Sequence, residues 1–163
     1  MARRRSAWIL SALLPLGLLD PVPAAADEGP VTCQRTLHLT LTPGLTFTTS
    51  EHRFHEKGQF LACSNDLAGL LEFDGGVMTG SCAGGHAESG GWTIRWTDGS
   101  TSVGHASADA KLPPLVTATG GITSGTFAGR TTSFYGYLVP VHPEKCFGSG
   151  LTDLDVYGTW TFH

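Results

Sequence analysis

Trp92-Thr93-Ile94-Arg95-Trp96-Thr97-Asp98-Gly99-Ser100-Thr101-Ser102 is the stretch that decides the fold. Trp92, Ile94 and Trp96 take every second position, with Thr93, Arg95 and Thr97 between them. Side chains alternate across a strand, so this spacing predicts a strand with one buried and one solvated face. Asp98-Gly99 then predicts a two-residue type I′ turn, whose twist suits a hairpin. Residues 100–107 form the returning strand.

The same period extends in both directions. Leu37, Leu39 and Leu41 alternate with His38, Thr40 and Thr42 until Pro43-Gly44 breaks the run. Leu45 and Phe47 open a returning strand over 45–55, extended by 59–63. Asn65-Asp66 marks a turn. Residues 69–82 form a third strand, with a bulge expected at Gly75-Gly76. Downstream, Pro113-Pro114 is a loop, 115–127 a long strand, Gly129-Arg130 a turn and 131–139 another strand. A loop over 140–150 leads to a last strand at 155–162, with Val156, Trp160 and Phe162 on one face. Helices are not expected beyond the N-terminus, because 22 glycines and dense Ser and Thr disfavour helix interiors. The fold class is therefore all-β, with about eight antiparallel strands. An even count lets the last strand pair antiparallel with the first, which closes the sheet and removes its edges. An up-and-down barrel is the expectation, and a β-sandwich is the alternative.

The front of the chain carries a different message. Arg3-Arg4-Arg5 precedes an apolar run from Ala7 to Leu19, and Ala24-Ala25-Ala26 supplies small residues before Asp27. This is the layout of a signal peptide over 1–26, too short for a spanning helix. The arginines also permit a twin-arginine reading; ordinary export is the expectation. Residues 27–163 then form a single disulfide-stabilised β-domain, secreted and extracellular, with no membrane contact after signal-peptide removal. Losing Arg3, Arg4, Arg5 and Asp20 makes the formal charge of −4 more negative. With no basic cluster left, nucleic acid is excluded as a partner class.

Four cysteines, Cys33, Cys63, Cys82 and Cys146, are an even set in an exported chain, which implies two disulfides. No C-x-x-C pair supports a metal site. In an up-and-down array Cys33 and Cys63 fall at one end of the strands, and Cys82 and Cys146 at the other. Only the pairs Cys33–Cys63 and Cys82–Cys146 bring same-end partners together.

Chemistry is sparsely signalled. His52-Arg53-Phe54-His55-Glu56 is the densest polar cluster. On a strand His52 and Glu56 share a face while His55 points away, so the run reads as an exposed segment with solvated charges. The seven histidines (His38, His52, His55, His86, His105, His142, His163) match no zinc spacing. Ser81 lacks the glycines of a nucleophile elbow, and Gly84-Gly85-His86 reads as a glycine-rich loop. Glu72, Asp74 and Asp153 are scattered carboxylates, and Asp153 and Asp155 share a strand face. Trp92, Trp96, Phe127, Phe134, Tyr135, Tyr137, Tyr157, Trp160 and Phe162 either line a cavity or fill the core, and core filling is the expectation for a small barrel. No catalytic residue, metal ligand or cofactor motif is assigned.

Taken together, Cys33, TPGLT at 42–46, Cys63, Gly80-Ser81-Cys82, WTIRWTDGSTS at 92–102, GGITSGTFAG at 120–129, and Cys146 followed by Gly150-Leu151-Thr152 resemble an uncharacterised family of small exported actinomycete proteins. The resemblance spans nearly all of 27–163 and implies an exported β-protein with two disulfides. The charged HRFHEK segment at 52–57 departs from the pattern. A local likeness joins GWTIRWTDGSTS at 91–102 to the aromatic strand pair of avidin-like barrels. Avidins lack this four-cysteine layout, so no ligand-contact residue is transferred. The expected function is a non-catalytic binding or interaction module with an extracellular or cell-wall partner of unknown identity. A small-ligand carrier with a barrel cavity is the alternative, and a secreted hydrolase comes third.

Overall fold

Alternating apolar residues dictate strands, and the return of the last strand to the first closes their sheet. The structure, a computed structural model, describes residues 29–89, 91–111 and 115–163. The signal peptide expected over 1–26 lies outside the described residues. Nine strands form one sheet: β1 (Val31–Leu45), β2 (Ser50–Leu61), β3 (Gly69–Ser81), β4 (Gly84–Ser89), β5 (Trp92–Trp96), β6 (Thr101–Lys111), β7 (Leu115–Gly125), β8 (Thr131–Pro140) and β9 (Leu151–Phe162). A short 3₁₀ turn, Pro143–Phe147, precedes β9.

All pairings are antiparallel and follow chain order except that β4 and β5 each pair with β3 and β6 and not with each other, and β9 returns to β1 from Val31↔Phe162 to Thr40↔Asp153. β4 and β5 share one position between β3 and β6. β5 pairs with 69–73 of β3, and β4 with 76–81. The result is an up-and-down barrel of eight positions, closed and without a free edge.

Closure depends on bulges that keep the correct face inward. Phe54 lies opposite Gly76 and Glu56 opposite Phe73, so β3 carries one extra residue at the expected place. Gly75 supplies the left-handed backbone there, with φ at +83°. The shift moves the inward set from Leu71 and Phe73 to Met78, and all three are buried.

Three local readings are corrected. The β1–β2 turn falls at 46–49, and Pro43-Gly44 lies within β1 at an irregularity against β9. The β5–β6 connection is not type I′, because only Gly99 has positive φ. Gly99 N–H donates to the Trp96 carbonyl at 3.1 Å and Trp96 N–H to the Ser100 carbonyl at 2.9 Å. This is the longer hairpin loop that ends in a left-handed glycine. Gly84-Gly85-His86 is not a loop; it opens β4.

Cys33 is bridged to Cys63 and Cys82 to Cys146. The first bridge ties the end of the barrel where β1 begins. The second ties the opposite end, where the 3₁₀ turn sits.

Candidate functional site

The two halves of the barrel interior differ in what fills them. Near Cys33–Cys63, rings plug the lumen. Phe60 lies 5.7 Å from Trp96 and 5.8 Å from Phe162, and Phe127 stacks on Phe162 at 5.1 Å. Trp92 meets Trp160 edge-on at 6.0 Å. Trp96 Nε1 donates to Ser102 Oγ at 2.8 Å, which satisfies its one polar atom in the plug. Each fully buried ring of this kind contributes roughly 1.5–3 kcal/mol.

Toward Cys82–Cys146 the inward side chains shrink. Ala87 on β4, Ala106, Ala108 and Ala110 on β6, and Ala118 on β7 face the interior where a plugged barrel would carry large residues. They leave a cavity of about 150 Å³. Phe54, Phe73, Met78, Phe134, Leu138 and Leu154 complete its apolar wall, and the Cys82–Cys146 bridge lies against it. Ser81 is a hydroxyl in the lining; the Ala83 backbone N–H donates to its Oγ at 3.1 Å.

Where hollow and plug meet, the lining becomes charged. Arg35 is in phase with Leu37, Leu39 and Leu41, so β1 carries it inward, 4% exposed. Its Nη2 donates to Glu56 Oε2 at 2.9 Å. The guanidinium carbon lies 4.6 Å from the Trp160 ring centre, 4.9 Å from Phe134 and 5.5 Å from Phe73. Such contacts offset part of the cost of removing the cation from water. Its Nε is buried and has no hydrogen-bond partner among the described residues. Burial pushes both groups toward neutrality: Arg35 falls to about 10 and Glu56 rises, with the pairing opposing each shift. The 2.9 Å contact pairs the guanidinium with the carboxylate as an ion pair.

The polar cluster at 52–56 is therefore only partly solvated. His55 and Arg53 are exposed, whereas His52 and Glu56 point inward. His52 Nδ1 donates to the Pro43 carbonyl at 2.8 Å, and Nε2 lies 3.0 Å from Ser50 Oγ. It clamps the β1 irregularity to β2. No motif marks Arg35 in the sequence. The signal was its position in the leucine face of β1.

No family model, curated protein or solved structure matches this chain. The other candidates lie outside the barrel. Glu72 pairs with Lys57 at 3.3 Å, and the Asp74 side chain is outside the described residues. Among the described residues no group of three or more His, Cys, Asp or Glu is arranged to hold a metal. Ser133 Oγ and His163 Nε2 are 2.7 Å apart in a shallow groove that Glu88 and His105 also line. No carboxylate bonds to His163 among the described residues to orient it as a base. Of the aromatic set, Phe134 and Trp160 line the cavity, while Trp92, Trp96, Phe127 and Phe162 fill the plug. Tyr135, Tyr137 and Tyr157 are exposed on the outer face of β8 and β9, a correction to core filling.

Asp153 and Asp155 share the outer face with His38. His38 Nδ1 donates to Asp155 Oδ1 at 2.9 Å, and Nε2 lies 3.4 Å from Asp153 Oδ1. The Asp155 hydrogen bond, helped by Asp153, raises His38 above its usual 6.5. An NMR titration is expected to place its midpoint above that value. Asp155→Asn should return it most of the way; no movement on that substitution would remove Asp155 as the cause.

Proposed function

We propose that this chain is a secreted binding module that carries a small apolar molecule inside its barrel. The observation that supports this best is the run of alanines over β4, β6 and β7, which leaves the cavity. Small barrels are usually filled by their own side chains. Here one half is filled with rings, while the other half is lined with methyl groups. A cavity of this size is matched to a benzene-sized ligand of about six to nine non-hydrogen atoms. Binding is favoured over catalysis by the lining, which offers the Arg35–Glu56 pair and Ser81 as its polar side chains. Export is supported by the N-terminal pattern and by the two bridges, which persist in oxidising compartments. Membership of the exported actinomycete family remains part of this proposal.

Filling the cavity tests it. Ala108→Leu with Ala118→Leu adds carbon atoms where the interior is hollow. In a filled core such overpacking costs about 1–3 kcal/mol. In this cavity it is expected to raise the urea midpoint and abolish binding of ethylbenzene measured by calorimetry. A lowered midpoint with ethylbenzene binding intact would reject the carrier reading.

A further inference from the structure

The Arg35 guanidinium presents more donors than its surroundings consume. An arginine carries five N–H groups, and Glu56 takes one from Nη2 at 2.9 Å. Three aromatic rings pack around the cation, and rings accept no strong hydrogen bond. Nε is left buried without a partner, and the guanidinium borders the cavity. Buried donors are rarely left unpaired; Nε is closed off from the cavity, so a ligand oxygen would accept from the Nη donors that Glu56 leaves over.

Charge narrows the choice further. Arg35 and Glu56 already neutralise each other, so the site has no net charge to offer. A second carboxylate here would be a buried anion without its own cation, and a cation would face the same penalty. We infer that the ligand is a neutral molecule with an apolar body and one carbonyl oxygen, a small ketone or ester, whose oxygen accepts from Arg35. This rests on the carrier reading above and adds the polar half of the ligand. The apolar body meets Ala87, Ala106, Ala108 and Ala118; the oxygen meets the cation.

The test uses protein purified from the medium of a secreting host and three probes of one size: acetophenone, ethylbenzene and sodium benzoate. Calorimetry at neutral pH is expected to show acetophenone binding about tenfold tighter than ethylbenzene, since a hydrogen bond to a charged donor is worth about that factor. Benzoate is expected to bind weakest. In the double variant Arg35→Met/Glu56→Leu, which removes both charges together, ethylbenzene should still bind and the acetophenone preference should vanish. Equal affinity of the wild type for acetophenone and ethylbenzene overturns the inference while leaving the carrier reading intact, because solvent would then already satisfy the donor. Benzoate binding tightest overturns the neutral-ligand argument. Failure of all three probes to bind removes the carrier reading itself, and this inference with it. Persistence of the preference in the double variant shows that the oxygen is received elsewhere.

Discussion

Glu56→Leu is expected to cost about 3–5 kcal/mol of folding stability, and Arg35→Met less, with the gap widening as the pH falls. The asymmetry follows from what each survivor can do. Without Glu56 the guanidinium remains in an apolar interior with its charge intact, since no proton leaves it between about pH 5 and about pH 8. Its aromatic neighbours recover only part of the lost solvation. Without Arg35 the carboxyl escapes by taking a proton. Burial already raises Glu56 above its ordinary 4.5 with Arg35 present, and losing the cation raises it further. A carboxyl whose folded-state value lies above its unfolded value binds more protons when folded. Stability in Arg35→Met should therefore be greatest at low pH and fall as the pH rises through the raised value of Glu56. Glu56→Leu should show no such slope from this pair. Urea unfolding of both variants at about pH 5 and about pH 8 reads the difference. The double variant, which leaves no orphaned charge, should be close to wild type or above it. Matching pH slopes for the two single variants, or a neutral Glu56→Leu, would mean that the pair is solvated.

The site was half visible in the sequence for a physical reason. Strand reading depends on contrast between large apolar and polar neighbours. Leu37, Leu39 and Leu41 give that contrast, and the same phase carried two residues back reaches Arg35. An arginine on a leucine face was a legible anomaly, and His52 with Glu56 on one face was its counterpart. Neither could be placed inside without the closed barrel, since the β1–β2 register sets Arg35 opposite Phe60 and Glu56 opposite Leu39, and the two side chains meet only by reaching along the interior. The hollow half is harder to read. The start of β4 reads as a loop in the sequence because its inward residues, Gly85 and Ala87, are small. β6 alternates Ala106, Ala108 and Ala110 with Ser107 and Asp109, which reads as a weak strand and not as the wall of a cavity. The feature that makes space for a ligand also erases the hydrophobic period. The eight-position count survived that error because β4 and β5 occupy one place in the barrel. Strand parity survived as well, and it gives the same cysteine pairs as the structure.

Breaking the two bridges separately should divide stability from binding. Cys33–Cys63 closes a chain segment of 30 residues and Cys82–Cys146 one of 64. The chain-entropy model gives about 4 kcal/mol for each, slightly more for the longer loop. Cys33→Ala/Cys63→Ala and Cys82→Ala/Cys146→Ala are thus expected to lose similar stability. Their effects on the ligand should differ. Cys33 and Cys63 tie the plugged end, where Phe60, Trp96 and Phe162 fill the lumen, so ethylbenzene affinity should hold under conditions where the variant remains folded. Cys82 and Cys146 line the cavity and fasten the 3₁₀ turn across that end of the barrel. Removing that bridge releases part of the wall, and ethylbenzene affinity should fall by about tenfold or more, the equivalent of 1.4 kcal/mol. Urea unfolding and calorimetry on the same preparations separate the two effects. Equal loss of affinity in both variants would show that binding follows global stability and not the wall beside Cys82–Cys146, which would move the ligand site away from the alanine-lined half.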